Sequence, residues 1–197
     1  MDQIRHSWSE GQWTHSPLRA NEEGSDLVVT AVRESDAWRT TAYGFVHESE
    51  HALLRPFAVG TAMEVSFVCV LTEQFDQAGL MVWADVERWV KAGVEYADGA
   101  PQLGAVVTNP YSDWSVSPVD SWLGHKVTIR VSRTSDALTF RARRESQDWQ
   151  LVRVCHWPDS VVTHGGPHLA APTREGLSVR FTSWVTTDPD VSLHPEG

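Results

Sequence analysis

The stretch "RWVKAGVEYADG" (Arg88–Gly99) decides the fold. Val90, Ala92, Val94 and Tyr96 fall on alternate positions, the period of a β-strand with one face buried. The opposite face carries Trp89, Lys91, Gly93 and Glu95, and the run ends in a turn signal, "ADGAP". Two opposite charges beside a glycine, behind a core-facing apolar set, pose the functional question.

Period-two and solidly apolar runs extend the strand reading in both directions. They cover Asp26–Val32, Thr61–Thr72, Ala78–Asp85 and Gln102–Asn109, then His125–Thr134, Ala137–Glu145, Trp149–Trp157 and Gly176–Val185. The two runs flanking "SD" read as a hairpin. "NPYSD", "WPDS" and "HGGP" read as turns, and no stretch keeps a helical apolar period over three turns. Many short strands at close spacing predict an all-β sandwich or barrel. No linker divides the chain, so residues 1–197 are expected to form one domain, fraying at about 1–10 and 187–197.

A formal net charge of -10 and a pI near 5.3 exclude a nucleic-acid role, which needs a basic footprint, and disfavour anionic membranes. Within that acidic balance Arg130, Arg133, Arg141, Arg143, Arg144 and Arg153 crowd one segment. Cys69 and Cys155 lie in apolar runs and read as buried free thiols. The first residues lack the pattern of a secretory signal, and no run has the length of a membrane span, so a cytoplasmic location is expected.

Parity assigns the outward faces. Val127, Ile129 and Val131 face the core and leave Arg130 outside; Leu138, Phe140 and Ala142 leave Arg141 and Arg143; Val152 and Val154 leave Arg153. The plain explanation is a solvated sheet face with weak cross-strand ion pairs. The alternative is a polar face that holds a ligand. Trp83 and Trp89 on nearby strands favour it, as does Gly93, where a missing side chain leaves room above the sheet. "FDQ" offers Asp76 and Gln77, and an Asx turn alone explains the former. "NPYSDWS" offers Asp113 and Trp114 on a loop, and "SDAWR" offers Asp36 and Trp38. "HESEH" and "HGGPH" each space two histidines by four, but loop positions give that spacing no metal geometry. No nucleophile elbow, Walker or dinucleotide glycine pattern is present. No metal and no cofactor is expected.

"DAWRTTAYG", "FDQAGLMV", "RWVKAGVEYADG" and "SDWS", in this order, resemble a domain-of-unknown-function family that includes a fungal "regulation of enolase" protein. The resemblance runs from about Trp13 to Val185. One position departs: Ala37 stands where the family motif has Phe. The resemblance implies a concanavalin A-like lectin/glucanase jelly roll of two antiparallel sheets. It also implies that Asp36, Trp38, Gln77, Lys91, Glu95 and Asp113 gather on the concave sheet. It implies no settled activity.

Three functions stay open. The first is a module binding a carbohydrate or small polar metabolite through Asp36, Trp38, Gln77, Trp83, Trp89, Lys91, Glu95, Asp113, Trp114, Arg130 and Arg141. The second is an enzyme using Glu95 as acid or base, with Lys91 lowering its pKa or holding an anion. The third is a regulatory module with a protein partner.

Overall fold

The computed structural model describes residues 3–194. Residues 1–2 and 195–197, within the ends expected to fray, lie outside the described residues. Two antiparallel sheets pack face to face. The back sheet runs, in spatial order, Gln150–His156, Ala137–Arg144, Lys126–Arg133, Thr61–Val68, Ser178–Thr187, Asp26–Thr30 and Arg19–Glu23, with Ile4–Arg5 added on Ser178–Thr187. The front sheet runs Ser112–Pro118, Ala100–Thr108, Arg88–Ala97, Gln77–Asp85, His164–Ala170, His51–Pro56 and Gln12–Trp13. A separate hairpin, Ala37–Arg39 with Val46–Glu48, belongs to neither. This is the concanavalin A-like jelly-roll sandwich.

The core forms between the sheets from the alternate residues that parity assigned. Val90, Ala92 and Val94 of the front sheet join Val127, Ile129, Val131, Leu138, Phe140 and Ala142 of the back sheet in one buried cluster. Trp184, Phe67, Phe140 and Phe181 are its largest fully buried side chains. Burying each such side chain is worth about 1.5–3 kcal/mol. The "SD" hairpin forms, pairing Lys126–Arg133 with Ala137–Arg144. Neither Cys69 nor Cys155 is in a disulfide; the first is buried, the second half-buried, and burial pushes both thiols up to about 11.

Three readings of the chain are corrected. "HGGPH" is not a turn: His164–Ala170 is an internal strand of the front sheet, paired on both sides. Its Gly-Gly-Pro mimics turn chemistry, but Gly166 is there because a Cβ would lie 1.9 Å from the Leu53 carbonyl oxygen. Ser112 and Asp113 are likewise strand residues. Val154 is exposed, and Arg153 stands opposite the core residue Phe140. A register shift between Phe140 and Arg141 inserts a residue there, which flips the parity of everything beyond it.

The same outward parity also spans two sheets. Lys91 and Glu95 point out of the front sheet, whereas Arg130 and Arg141 pair across the back sheet. A sandwich has two outer faces, and alternation along a strand cannot say which one a residue occupies.

Candidate functional site

Three front-sheet strands bring Gly79, Gly93 and Gly104 into register as a row. A Cβ on Gly93 would lie 2.2 Å from the Ala78 oxygen, on Gly79 2.1 Å from that of Ala92, and on Gly104 2.0 Å from that of Ser115. The glycines are therefore demanded by close strand approach. The space left above them is a cleft of ≈ 20 Å³, about one water's worth. Val94 and Ala92 hold the strand to the core from behind, so Lys91 and Glu95 flank this row on the outer side.

Lys91 is buried and donates to Asp36 Oδ1 at 3.1 Å and Gln77 Oε1 at 2.6 Å. Gln77 Nε2 donates to the same Asp36 oxygen at 3.1 Å and to the Phe75 carbonyl at 3.3 Å. The Ala37 N–H, at 2.8 Å, gives that oxygen a third donor. Asp36, Gln77 and Lys91 thus form a closed network that fixes the amide orientation of Gln77. Lys91 is one of two lysines in the chain, the other being Lys126. A lone lysine in an apolar strand of an arginine-rich chain was the available signal for this site.

Glu95 stays outside the network. No ion pair joins it to Lys91, and its carboxyl has no hydrogen-bond partner among the described residues. Burial pushes that carboxyl up to about 7; the Lys91 charge opposes the rise and the Asp36 carboxylate adds to it. Lys91 therefore does pull the Glu95 pKa down, as expected, but burial outweighs it. Beneath Lys91, His168 is buried, and its Nε2 has no partner. Burial, then the Lys91 and His51 charges, hold His168 neutral, well below the ordinary imidazole range.

The hairpin 37–48 roofs this floor. Ala37 and Trp38 pack with Ala52, Leu54, Met81, Trp89 and Val106 in a second, smaller apolar cluster. Arg39 ties it down, pairing with Glu48 and, at 3.0 Å, with Glu87, and donating to the Pro110 carbonyl at 3.2 Å. Between roof and floor lies a cavity of ≈ 350 Å³, the size of small-ligand sites. Asp36, Gln77, Lys91 and Glu95 form its polar end, and Trp38, Tyr43, Phe45, Phe75 and Trp114 its aromatic wall. Trp38 meets Trp114 edge-on at 6.4 Å, and Tyr43 stacks on Phe45 at 5.3 Å. Glu34, Thr40, Ala42 and Phe75 around this rim hold left-handed φ values of 66°, 66°, 63° and 66°. Each costs of order 1–3 kcal/mol in a non-glycine residue, and such strain clusters at ligand clamps.

Of the residues singled out in the sequence, Asp36, Trp38, Gln77, Lys91, Glu95 and Trp114 line this cavity. Trp83 and Trp89 do not: they pair across neighbouring strands and line a second cavity on the same sheet. Asp113 binds Arg153 at 3.0 Å, away from the Lys91 network. Arg130 and Arg141 lie on the back sheet, both on Asp190 at 2.9 Å. Asp76 is structural, accepting from the Thr72 and Glu73 N–H groups at 3.1 Å and from Arg174 Nε at 3.0 Å. Tyr43, Phe45, His47, Phe75 and His168 were not foreseen; short irregular segments hide their convergence. His51 is locked, its Nε2 accepting from the Val32 N–H at 3.0 Å and its Nδ1 donating to the His15 carbonyl at 3.0 Å. Among the described residues no three His, Cys, Asp or Glu side chains converge to hold a metal ion, and no helix is long and apolar enough to cross a membrane.

A jelly-roll sandwich with a hairpin-roofed, aromatic and charged cavity on one sheet defines the class. Within it, the chain belongs to the family described as "Protein of unknown function (DUF1349)", which matches residues 13–189. It is 33% identical over 186 residues to "Regulation of enolase protein 1" of Saccharomyces cerevisiae, covering 92% of this chain and 91% of that one. A crystal structure of a functionally unknown protein from Saccharomyces cerevisiae superposes with a TM-score of 0.87 at 32% identity, over 93% of this chain and 99% of that one. The fold is also shared, at 16% identity and a TM-score of 0.64, with a xylan beta-1,4-xylosidase from Bacillus halodurans C-125; the match covers 83% of this chain and 33% of the xylosidase.

Proposed function

We propose that the cavity over Lys91 and Glu95 binds a small sugar or a sugar-like polar metabolite. The observation that carries this reading is Glu95, a carboxyl without a partner at an aromatic-walled cavity where Asp36, Gln77 and Lys91 are tied to one another. An unpaired carboxyl that is largely withdrawn from water costs stability unless something meets it. A ring hydroxyl can donate to it, and the indoles offer apolar faces to a sugar ring. The indole N–H groups of Trp8, Trp38, Trp157 and Trp184 are bonded within the protein, but that of Trp114 has no partner among the described residues. Trp114 is one of the residues lining the cavity.

The Glu95 carboxyl, raised to about 7, favours a second reading in which the bound molecule is also turned over, with Glu95 giving or taking a proton near neutral pH. Titration of the protein against xylose, glucose and cellobiose by calorimetry tests both. Binding that disappears in Glu95→Gln and Trp114→Ala, and survives in Arg130→Met, is the expected result. A flat titration across the set at about 10 mM sugar removes the first reading. Turnover of any bound sugar that Glu95→Gln leaves unchanged removes the second.

A further inference from the structure

The front sheet carries a second cavity, of ≈ 420 Å³, on the other side of the hairpin strand Val46–Glu48. That strand is a partition: His47 lines the first cavity and Glu48 the second. The floor of the second cavity is a cross-strand row, Trp89 opposite Trp83 opposite His164. Trp13 from the edge strand Gln12–Trp13 adds a third indole, and Glu50 and His15 complete the wall.

Glu50 is the informative residue. Among the described residues five Asp, Glu, Lys or Arg side chains are buried: Glu50, Asp76, Lys91, Arg130 and Arg133. Asp76 has Arg174 at 3.0 Å, Lys91 has Asp36 at 3.1 Å, and Arg130 has Glu64 at 2.6 Å. Arg133 is met by the carbonyls of Asp159 and Val161, at 3.2 Å and 2.6 Å. Of the two buried acids, Asp76 is paired with an arginine, whereas Glu50 has no lysine or arginine beside it. The nearest basic group is His15 at 3.9 Å, whose Nδ1 is already bonded to the Glu50 carbonyl at 3.1 Å. Burial raises the pKa of the Glu50 carboxyl, and its own backbone N–H, His15, Thr14 and, from a distance, Lys91 oppose the rise without cancelling it. A buried carboxylate without a counter-ion is expensive. Here it borders a space walled by the indoles of Trp13, Trp83 and Trp89; indole faces attract cations, and the buried Trp89 ring already has Lys91 Nζ 6.0 Å from its centre, which leaves Trp13 and Trp83 for a ligand.

We propose that this second cavity is a site for a small organic cation, an alkylated ammonium, distinct from the sugar site. Indole faces would hold the alkyl groups around the positive nitrogen, and Glu50 would neutralise it. His164 also lines this cavity, and its Nδ1 is buried without a hydrogen-bond partner. A neutral polyol would gain the stacking but leave the Glu50 charge unmet. An anion would meet Glu48 and Glu50 as like charges.

The test is a titration of the whole protein with choline, followed through the indole N–H resonances. Saturable binding at or below about 1 mM is expected, weakened tenfold or more in Glu50→Gln and in Trp83→Leu. Glu50→Gln keeps the shape and removes a buried charge, so the variant stays folded and its loss of binding is interpretable. Glu95→Gln, which disables the sugar reading of the first cavity, leaves choline binding intact. The inference is overturned if choline moves no indole resonance at about 100 mM, or if Glu50→Gln binds it as tightly as the parent. It is overturned equally if myo-inositol binds this cavity as tightly as choline, or if Glu95→Gln is the variant that loses choline.

Discussion

Both outer faces of the sandwich carry a row of charge under a covering segment. On the back sheet Arg141, Arg130 and Glu64 pair across three strands, and the segment after Ser178–Thr187 lies over them. Asp190 takes both arginines, Thr187 and the Asp188 carbonyl take more of Arg130, and the Leu193 carbonyl takes Arg141. Burial works against the Asp190 charge, but Arg130 and Arg141 outweigh it and hold its carboxyl below the usual range. On the front sheet the covering hairpin stands off on aromatic side chains, and Glu95 is left with no partner and a raised pKa. Charge on a sheet face therefore says little by itself. What separates a clasp from a site is whether the hydrogen bonds close and whether the cover leaves volume.

The largest effect should come from filling the glycine row. Gly93→Val places side-chain atoms where Ala78 and Gly79 backbone already sits, and should cost more than about 4 kcal/mol, read as loss of a cooperative urea transition. Next, Arg130→Met and Lys91→Met each strand half-buried acids and should each lower stability by about 2 kcal/mol. They part company in sugar binding, which only Lys91→Met should abolish; loss in both would erase the contrast between clasp and site.

Glu95→Gln should act through pH. The folded carboxyl holds its proton more tightly than the ordinary value of 4.5, up to about 7. Its contribution is therefore full below the unfolded pKa and lost as pH rises through the folded one. The parent should lose urea resistance between about pH 5 and about pH 8, and Glu95→Gln should lose less. Equal slopes would mean that the carboxyl is as well solvated as one on the surface. The smallest change should be Phe45→Ser in the exposed hairpin, within about 0.5 kcal/mol of the parent in stability yet weaker in sugar affinity.

The strands and the two core faces were legible because alternation survives in residues such as Val90, Ala92 and Val94. So were five cavity residues, Asp36, Trp38, Gln77, Lys91 and Glu95, once family resemblance brought distant motifs together; the sixth it implied, Asp113, binds Arg153 instead, and Trp114 came from its own loop motif. Sheet membership was not legible: Lys91 and Arg130 have the same outward parity on opposite sides of the molecule. Arg153 was misplaced by one inserted residue, and His164–Ala170 by a Gly-Gly-Pro that serves tight packing instead of a turn. Glu50 gave no local sign, because an acid in a polar run looks solvated until its neighbours are known.

Lysine scarcity has a practical consequence. Lys126 is exposed and Lys91 buried, so an amine-directed reagent meets one open side chain and one enclosed one in the same molecule. The reaction rate at Lys91 relative to Lys126 becomes a built-in clock for lifting of the hairpin. Slowing of that clock by an added compound would register occupancy of the first cavity without any label attached to the compound.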